Sequence, residues 1–207
     1  MEEKRTTDIV HKNRFLLCLP FWGLILCMAL LLNGLTDLLP REFVEASYGE
    51  TKKALFSVPV WKGILVYCFF NPLVEELIFR IGLFGMGKYF MIRGGVRPWV
   101  SVSVFLVVSS LTFAIYHGNL IQGNYAFWMG LLLCLGYDAL ATPFADIPAH
   151  QLANLLIYLL SFHENTYRLI TSPVFLLLYG MVAVPGIYLL IRRENLRLSD
   201  VKPANPS

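Results

Sequence analysis

Charge is the scarcest commodity in this chain. Only 15% of its 207 residues are Asp, Glu, Lys or Arg, where a soluble domain carries about a quarter. No charged residue lies between Arg14 and Asp37, between Arg97 and Asp138, or between Arg168 and Arg192. Runs of that length exclude an ordinary soluble fold, because roughly 20 apolar residues cross a bilayer as one helix. Low-complexity tracts, internal repeats and long linkers are also missing, which excludes disorder and repeat architectures. There is no C-x-x-C pair among the four cysteines, Cys18, Cys27, Cys68 and Cys134. All four sit in apolar runs and read as small buried hydrophobes. No H-E-x-x-H exists either. His163-Glu164 is followed by Asn165, Thr166 and Tyr167, which removes the commonest zinc-protease signature.

What is present is hydrophobic: 57% of residues, with a mean hydropathy of +0.60. The expected architecture is an all-α, polytopic membrane helix bundle of about six transmembrane helices. Residues 1–14 read as a tail, 15–191 as one membrane domain and 192–207 as a second tail. The first span, Phe15–Leu35, is too long for the apolar core of a signal peptide and is expected to be retained. A polar connection at Thr36–Thr51 reads as a surface segment. A second span runs from near Leu55 to Gly87, and a basic turn follows at Lys88–Arg97. Pro98 opens a third span that ends at His117. After a polar turn, Gly118–Asn124, the fourth span is Tyr125–Tyr137. It has roughly 13 uncharged residues, under ~20 Å of helix, so it need not cross fully. Asp138–Pro148 is poor in helix formers and could dip inward. Span five, Ala149–Phe162, and span six, Ile170–Ile191, complete the bundle, with a turn at His163–Arg168.

The net charge is +3 and calls for no nucleic acid. Lys4, Arg5, Lys12 and Arg14, then Lys88, Arg93 and Arg97, then Arg192, Arg193, Arg197 and Lys202 would share one side of six spans. Arg41, Lys52, Lys53 and Arg168 fall on the other. The positive-inside bias therefore puts both tails in the cytoplasm.

In such a chain an ionisable residue inside a span is the informative event. Three clusters stand out. Glu75 and Glu76 follow an apolar stretch, with Arg80 four residues beyond Glu76 and so on its face. Glu75 points about 100° away and is left without that partner. An unpaired carboxylate in an apolar site suits general acid–base chemistry; a structural ion-pair knot is the plain alternative. Phe113 and His117 are again four apart, and a histidine there could simply be interfacial. His150 and Asn154 share the same spacing, and a polar bond between helices would account for them. Glu75 and His117 lie about equally far from the Arg93–Arg97 turn along antiparallel helices, so they are expected at one depth.

In this order, E-E-x-x-x-R, F-x-x-x-H and H-x-x-x-N resemble the motifs of the CAAX prenyl protease and bacteriocin-processing family of intramembrane proteases, over roughly Ile64–Leu160. Ile81 stands where members commonly have a glycine. The resemblance implies that Glu75 and His117 activate a water for attack on a peptide carbonyl, while His150 and Asn154 stabilise the oxyanion. Glu76, Arg80 and Phe113 would support them. No cofactor and no metal are expected. The alternative is a zinc site with Glu75, His117 and His150 as ligands. The implied partners are the lipid bilayer and a membrane-associated peptide or protein substrate, prenylated or bacteriocin-like, in a bacterial plasma membrane. Two rivals from other classes are a non-catalytic immunity or scaffold protein of the same fold and a small transporter using Glu75 and His117 as a proton relay. The transporter would normally show internal repeats.

Overall fold

The computed structural model describes the backbone of residues 2–200 and the side chains of residues 16–198. Among the described residues there are helices and no strands. The elements are α1 (Glu2–Thr36), α2 (Arg41–Phe56), α3 (Val60–Gly63), a π-helical turn π1 (Ile64–Phe70), α4 (Asn71–Glu76), a second π segment π2 (Leu77–Met86), α5 (Gly87–Arg93), α6 (Pro98–Tyr116), α7 (Leu120–Leu140), α8 (Pro143–Leu160), α9 (Glu164–Ile170) and α10 (Pro173–Asp200). The run from α3 to α5 is continuous and forms one rod.

Among the described residues, three helical stretches are long and apolar enough to cross a membrane: Leu16–Thr36, Pro98–Tyr116 and Pro173–Leu198. The exact number of six is not reached by this criterion. The outward faces are nonetheless apolar, as on α10, where Leu177, Met181 and Val184 are 71%, 72% and 69% exposed. A face of that kind suits lipid and would be unfavourable in water.

Several boundaries differ from the sequence expectation, each for a local reason. The second span starts at Val60, because Leu55 belongs to α2 and Pro59 separates the two. Lys88 is helical, in α5, and the turn shrinks to Gly94–Arg97. The helix at the expected fourth span is not short. Asn119 caps α7 by accepting from the Gln122 N–H at 2.9 Å, so the helix begins at Leu120 and runs 21 residues, through Asp138. The helix then breaks only at Ala141, which takes a left-handed conformation at φ 51°. Asp138–Pro148 does not dip inward as a loop. Thr142 caps α8, and Pro143 occupies its first turn, where a missing N–H costs nothing. Residues 164–170 form a short helix in place of the expected turn. Residues 192–200 continue α10, so the expected second tail is helical up to Asp200, and residues 201–207 lie outside the described ones.

The core forms where α1 meets α7, α8 and α10. Phe21, Ile25 and Ala29 of α1 pack with Met129 and Leu133 of α7 and with Ala183 of α10. Ala145, Ala149 and Ala153 make a strip at spacing four on α8, all 0% exposed. Small residues in that pattern let helix backbones approach closely without a hydrophobic driving force. Trp22 fixes the register by donating its indole N–H toward the Phe144 and Ala145 carbonyls. Gly130 does the same between α6 and α7: a Cβ there would lie 3.2 Å from the Ser110 Cα.

One end of the bundle is tied by charge. The buried Asp138 carboxylate accepts from Lys88 and from Arg197, the latter at 2.6 Å. Arg197 also grips Glu194, and Arg193 donates to the Ala139 carbonyl. This network joins α5, α7 and α10. Asp138→Ala is expected to lower stability by about 2 kcal/mol, toward the low end for a broken buried pair because both cations are partly exposed. Thermal unfolding of the purified protein in detergent measures it, and the loss should shrink at high salt.

Candidate functional site

The site begins with a backbone irregularity. In π1 the Asn71 N–H bonds the Val66 carbonyl five residues back. By the same pattern Tyr67 would receive its bond from residue 72, but Pro72 has no N–H. Asn154 supplies the missing donor: its Nδ2 lies 3.2 Å from the Tyr67 carbonyl. One turn earlier on α8, Gln151 Nε2 reaches the Phe69 carbonyl at 3.1 Å. Two amides of α8 thus satisfy a distorted stretch of the rod and clamp the two helices together. π-Helical turns concentrate at functional sites for this kind of reason: they free carbonyls and re-aim side chains.

The rod then delivers its charges inward. Glu76 and Arg80 are both 0% exposed, and Arg80 Nε lies 3.0 Å from Glu76 Oε2. His150 sits beside them, with Nδ1 2.8 Å from Glu76 Oε1. A carboxylate can only accept, so Nδ1 carries the proton of that bond. The opposite nitrogen, Nε2, lies 3.7 Å from Glu75 Oε2. His150 therefore stands between the two glutamates. The Arg80 guanidinium carbon lies 4.5 Å from the centroid of the Phe113 ring, a cation–π contact that occupies its other side. Ser109 of α6 closes the lining by donating to the Phe79 carbonyl at 2.6 Å.

His117 caps the end of α6 and is half-buried. Its Nδ1 lies 2.9 Å from the Phe113 carbonyl, which fixes the tautomer of the neutral ring: Nδ1 carries the proton and Nε2 keeps its lone pair. The direct Glu75–His117 pair expected from equal depth is not made. Glu75 faces His150, and among the described residues no carboxylate oxygen lies within 4.0 Å of a His117 nitrogen. Equal depth fixes height along a helix, not the direction in which a side chain points, and α8 brings a nearer imidazole. The Phe113 ring contacts both histidines, its centroid 4.8 Å from that of His117 and 5.9 Å from that of His150. Glu75, Glu76, Arg80, Phe113 and His150 thus converge. Asn154 is one turn along the same helix with an N–H committed to the backbone, and His117 is at the rim.

No group of three His, Cys, Asp or Glu side chains among the described residues is arranged to hold a metal ion. The alternative set of Glu75, His117 and His150 is not gathered as a ligand group among the described residues.

One buried group escaped the sequence reading. In the sequence Asp146 is only part of a segment poor in helix formers, yet the structure puts it in the first turn of α8 with 0% exposure. A signal was available. Asp146, His150 and Asn154 repeat at spacing four and so line one face of α8, beside the alanine strip that packs on α1.

A family model described as type II CAAX prenyl endopeptidase Rce1-like matches residues 57–156. No curated protein and no solved structure gives a match. The matched segment runs from the start of the rod nearly to the end of α8 and contains all seven motif residues. Over this segment, just under half of the chain, the protein is similar to the Rce1-like type II CAAX prenyl endopeptidases.

Proposed function

We propose that the protein is an intramembrane endopeptidase that hydrolyses a peptide bond of a membrane-associated substrate with a water activated by Glu75 and His117. The observation that carries this reading is the carboxylate–imidazole–carboxylate arrangement of Glu75, His150 and Glu76, enclosed among apolar helices. The family description supports a prenylated peptide ending in a CAAX box as the first substrate to test; a bacteriocin-type peptide is the alternative. In this reading Glu75 takes a proton from water while the lone pair of His117 Nε2 orients it. The water oxygen attacks the carbonyl carbon, and His150 with the second N–H of Asn154 stabilises the oxyanion. As the C–N bond breaks, the proton on Glu75 passes to the leaving amine. His150 already gives its Nδ1–H to Glu76, so donation to an oxyanion needs a second proton on Nε2, and the Glu76 carboxylate is its counter-charge. Glu76 and Arg80 hold the imidazole and do not touch substrate.

Glu75→Gln is expected to abolish turnover of a farnesylated CAAX peptide while melting temperature and yield stay near wild type. Glu76→Gln is expected to lower stability by about 3 kcal/mol, because Arg80 then lies buried without its counter-charge. The opposite pattern in paired activity and unfolding assays would assign the base to Glu76.

The reading is metal-free. Activity is expected to survive exhaustive chelation, with well under one equivalent of metal in the purified protein. Activity lost to chelator and restored by zinc alone would instead favour a zinc reading. We also place both tails on the cytoplasmic face of a bacterial plasma membrane. Cysteine labelling of the two ends from opposite sides of sealed vesicles tests that orientation, and labelling from different sides would refute it.

A further inference from the structure

A groove of about 510 Å³ lies at the end of the bundle tied by Asp138, where α7 ends against α10. Leu140, Leu189 and Leu196 wall it, and Arg192, Arg193 and Arg197 line it with charge. A second hollow of about 360 Å³ shares Arg192 and Leu196 and adds Tyr188. None of these residues takes part in the proposed reaction. The depth of the groove follows from α10. That helix is uncharged from Pro173 to Ile191, a length of about 28 Å that is close to the hydrocarbon thickness of a bilayer. Arg192 is the first charge beyond it, so the groove lies where lipid headgroups begin. Tyr188, 62% exposed and one turn before Arg192, stands where aromatic side chains mark that boundary.

The charges around the groove do not balance. Asp138 and Glu194 are buried, and they are matched by Lys88 and Arg197. Arg192 and Arg193 are exposed and have no acidic partner among the described residues. Arg193 is nonetheless held in place. Its Nε donates at 3.0 Å to the Ala139 carbonyl, one of those left over at the end of α7. The acceptor is neutral, so the bond aims the guanidinium without cancelling its charge. Two arginine forks, one of them anchored, suit the oxygens of a phosphate. The apolar walls distinguish a lipid phosphate from a free one. Leu189 and Leu196 are 59% and 60% exposed, and only a ligand that carries hydrocarbon would cover them.

We infer that the groove between α7 and α10 binds an anionic phospholipid, with Arg192 and Arg193 on its phosphate oxygens and Leu189 and Leu196 against its acyl chains. Basic pockets between membrane helices are a recurrent form of headgroup recognition. A zwitterionic lipid brings its own cation to the phosphate and so gains less from the two unmatched arginines. The site stands whether or not the protein is a peptidase.

Native mass spectrometry of the full chain, released from detergent, counts the lipids that it holds. Dioleoylphosphatidylglycerol and dioleoylphosphatidylcholine are titrated separately. One phosphatidylglycerol is expected to bind about tenfold more tightly than phosphatidylcholine. R192Q/R193Q is expected to weaken phosphatidylglycerol binding about 25-fold, from the loss of about fivefold for each arginine at the membrane surface. R97Q removes one charge that does not line the groove, and should change binding by less than about twofold. Millimolar inorganic phosphate should not displace the lipid. If the double variant does not fold, R192Q alone carries the same test, with a loss of about fivefold. Equal binding of the two lipids, or arginine variants that bind like wild type, would overturn the inference. So would an R97Q loss as large as that of the groove variants, which would mean diffuse attraction, or displacement by phosphate, which would mean a site for a free anion.

Discussion

A charge in an apolar interior must find its counter-charge there, and the pairing of Glu76 with Arg80 is where this protein meets that demand. Both side chains are completely enclosed, at 3.0 Å from each other. Removing either partner leaves the other uncompensated, a penalty of several kcal/mol. The pair is therefore a fixed point around which the neighbouring helices must arrange themselves. α8 brings His150 to the free oxygen of Glu76, and α6 brings the Phe113 ring to the guanidinium. Glu75, one residue earlier and about 100° around the helix, is kept at the margin of this knot, 9% exposed. The two adjacent glutamates so acquire different environments from the geometry of one helix.

The backbone obeys the same rule as the side chains. Inside a bilayer an unsatisfied carbonyl costs several kcal/mol, and the rod carries a proline at position 72 within an irregular stretch. Asn154 and Gln151 answer it from α8. Their bonds set the height of α8 against the rod, and that height is what carries His150 between the glutamates. The polar face of α8 and its alanine strip are adjacent stripes of one helix. Docking the strip on α1 through Ala145, Ala149 and Ala153 turns the other stripe toward the rod.

The segment 57–156 that matches the Rce1-like family holds the site, and the helices outside it hold the segment. α1 and α10 contribute no motif residue. They supply Phe21, Ile25 and Ala183 to the core, and α10 supplies Arg197 to the charged tie at Asp138. The two parts divide the work: the distorted rod and α8 carry the polar groups, and α1 and α10 build the apolar core against α7 and α8.

Much of this was legible in the sequence. Charge-free runs announce membrane helices because no arrangement of the chain can make such runs comfortable in water. Spacing of four places Glu76 with Arg80, Phe113 with His117, and His150 with Asn154 on shared faces, since helical periodicity is a property of the backbone alone. The limits of the elements were less visible. Asn119 and Thr142 start helices earlier than hydropathy suggests, because capping is a matter of single hydrogen bonds and not of average polarity. What only the tertiary structure decided is which groups meet across helices. Sequence put Glu75 and His117 at one depth, but the direction of each side chain depends on how each helix is rotated against its neighbours. That rotation is set by packing, by the alanine strip on α1 and the amide clamps on π1. It turns Glu75 to His150, leaves His117 against the Phe113 ring, and buries Asp146 completely.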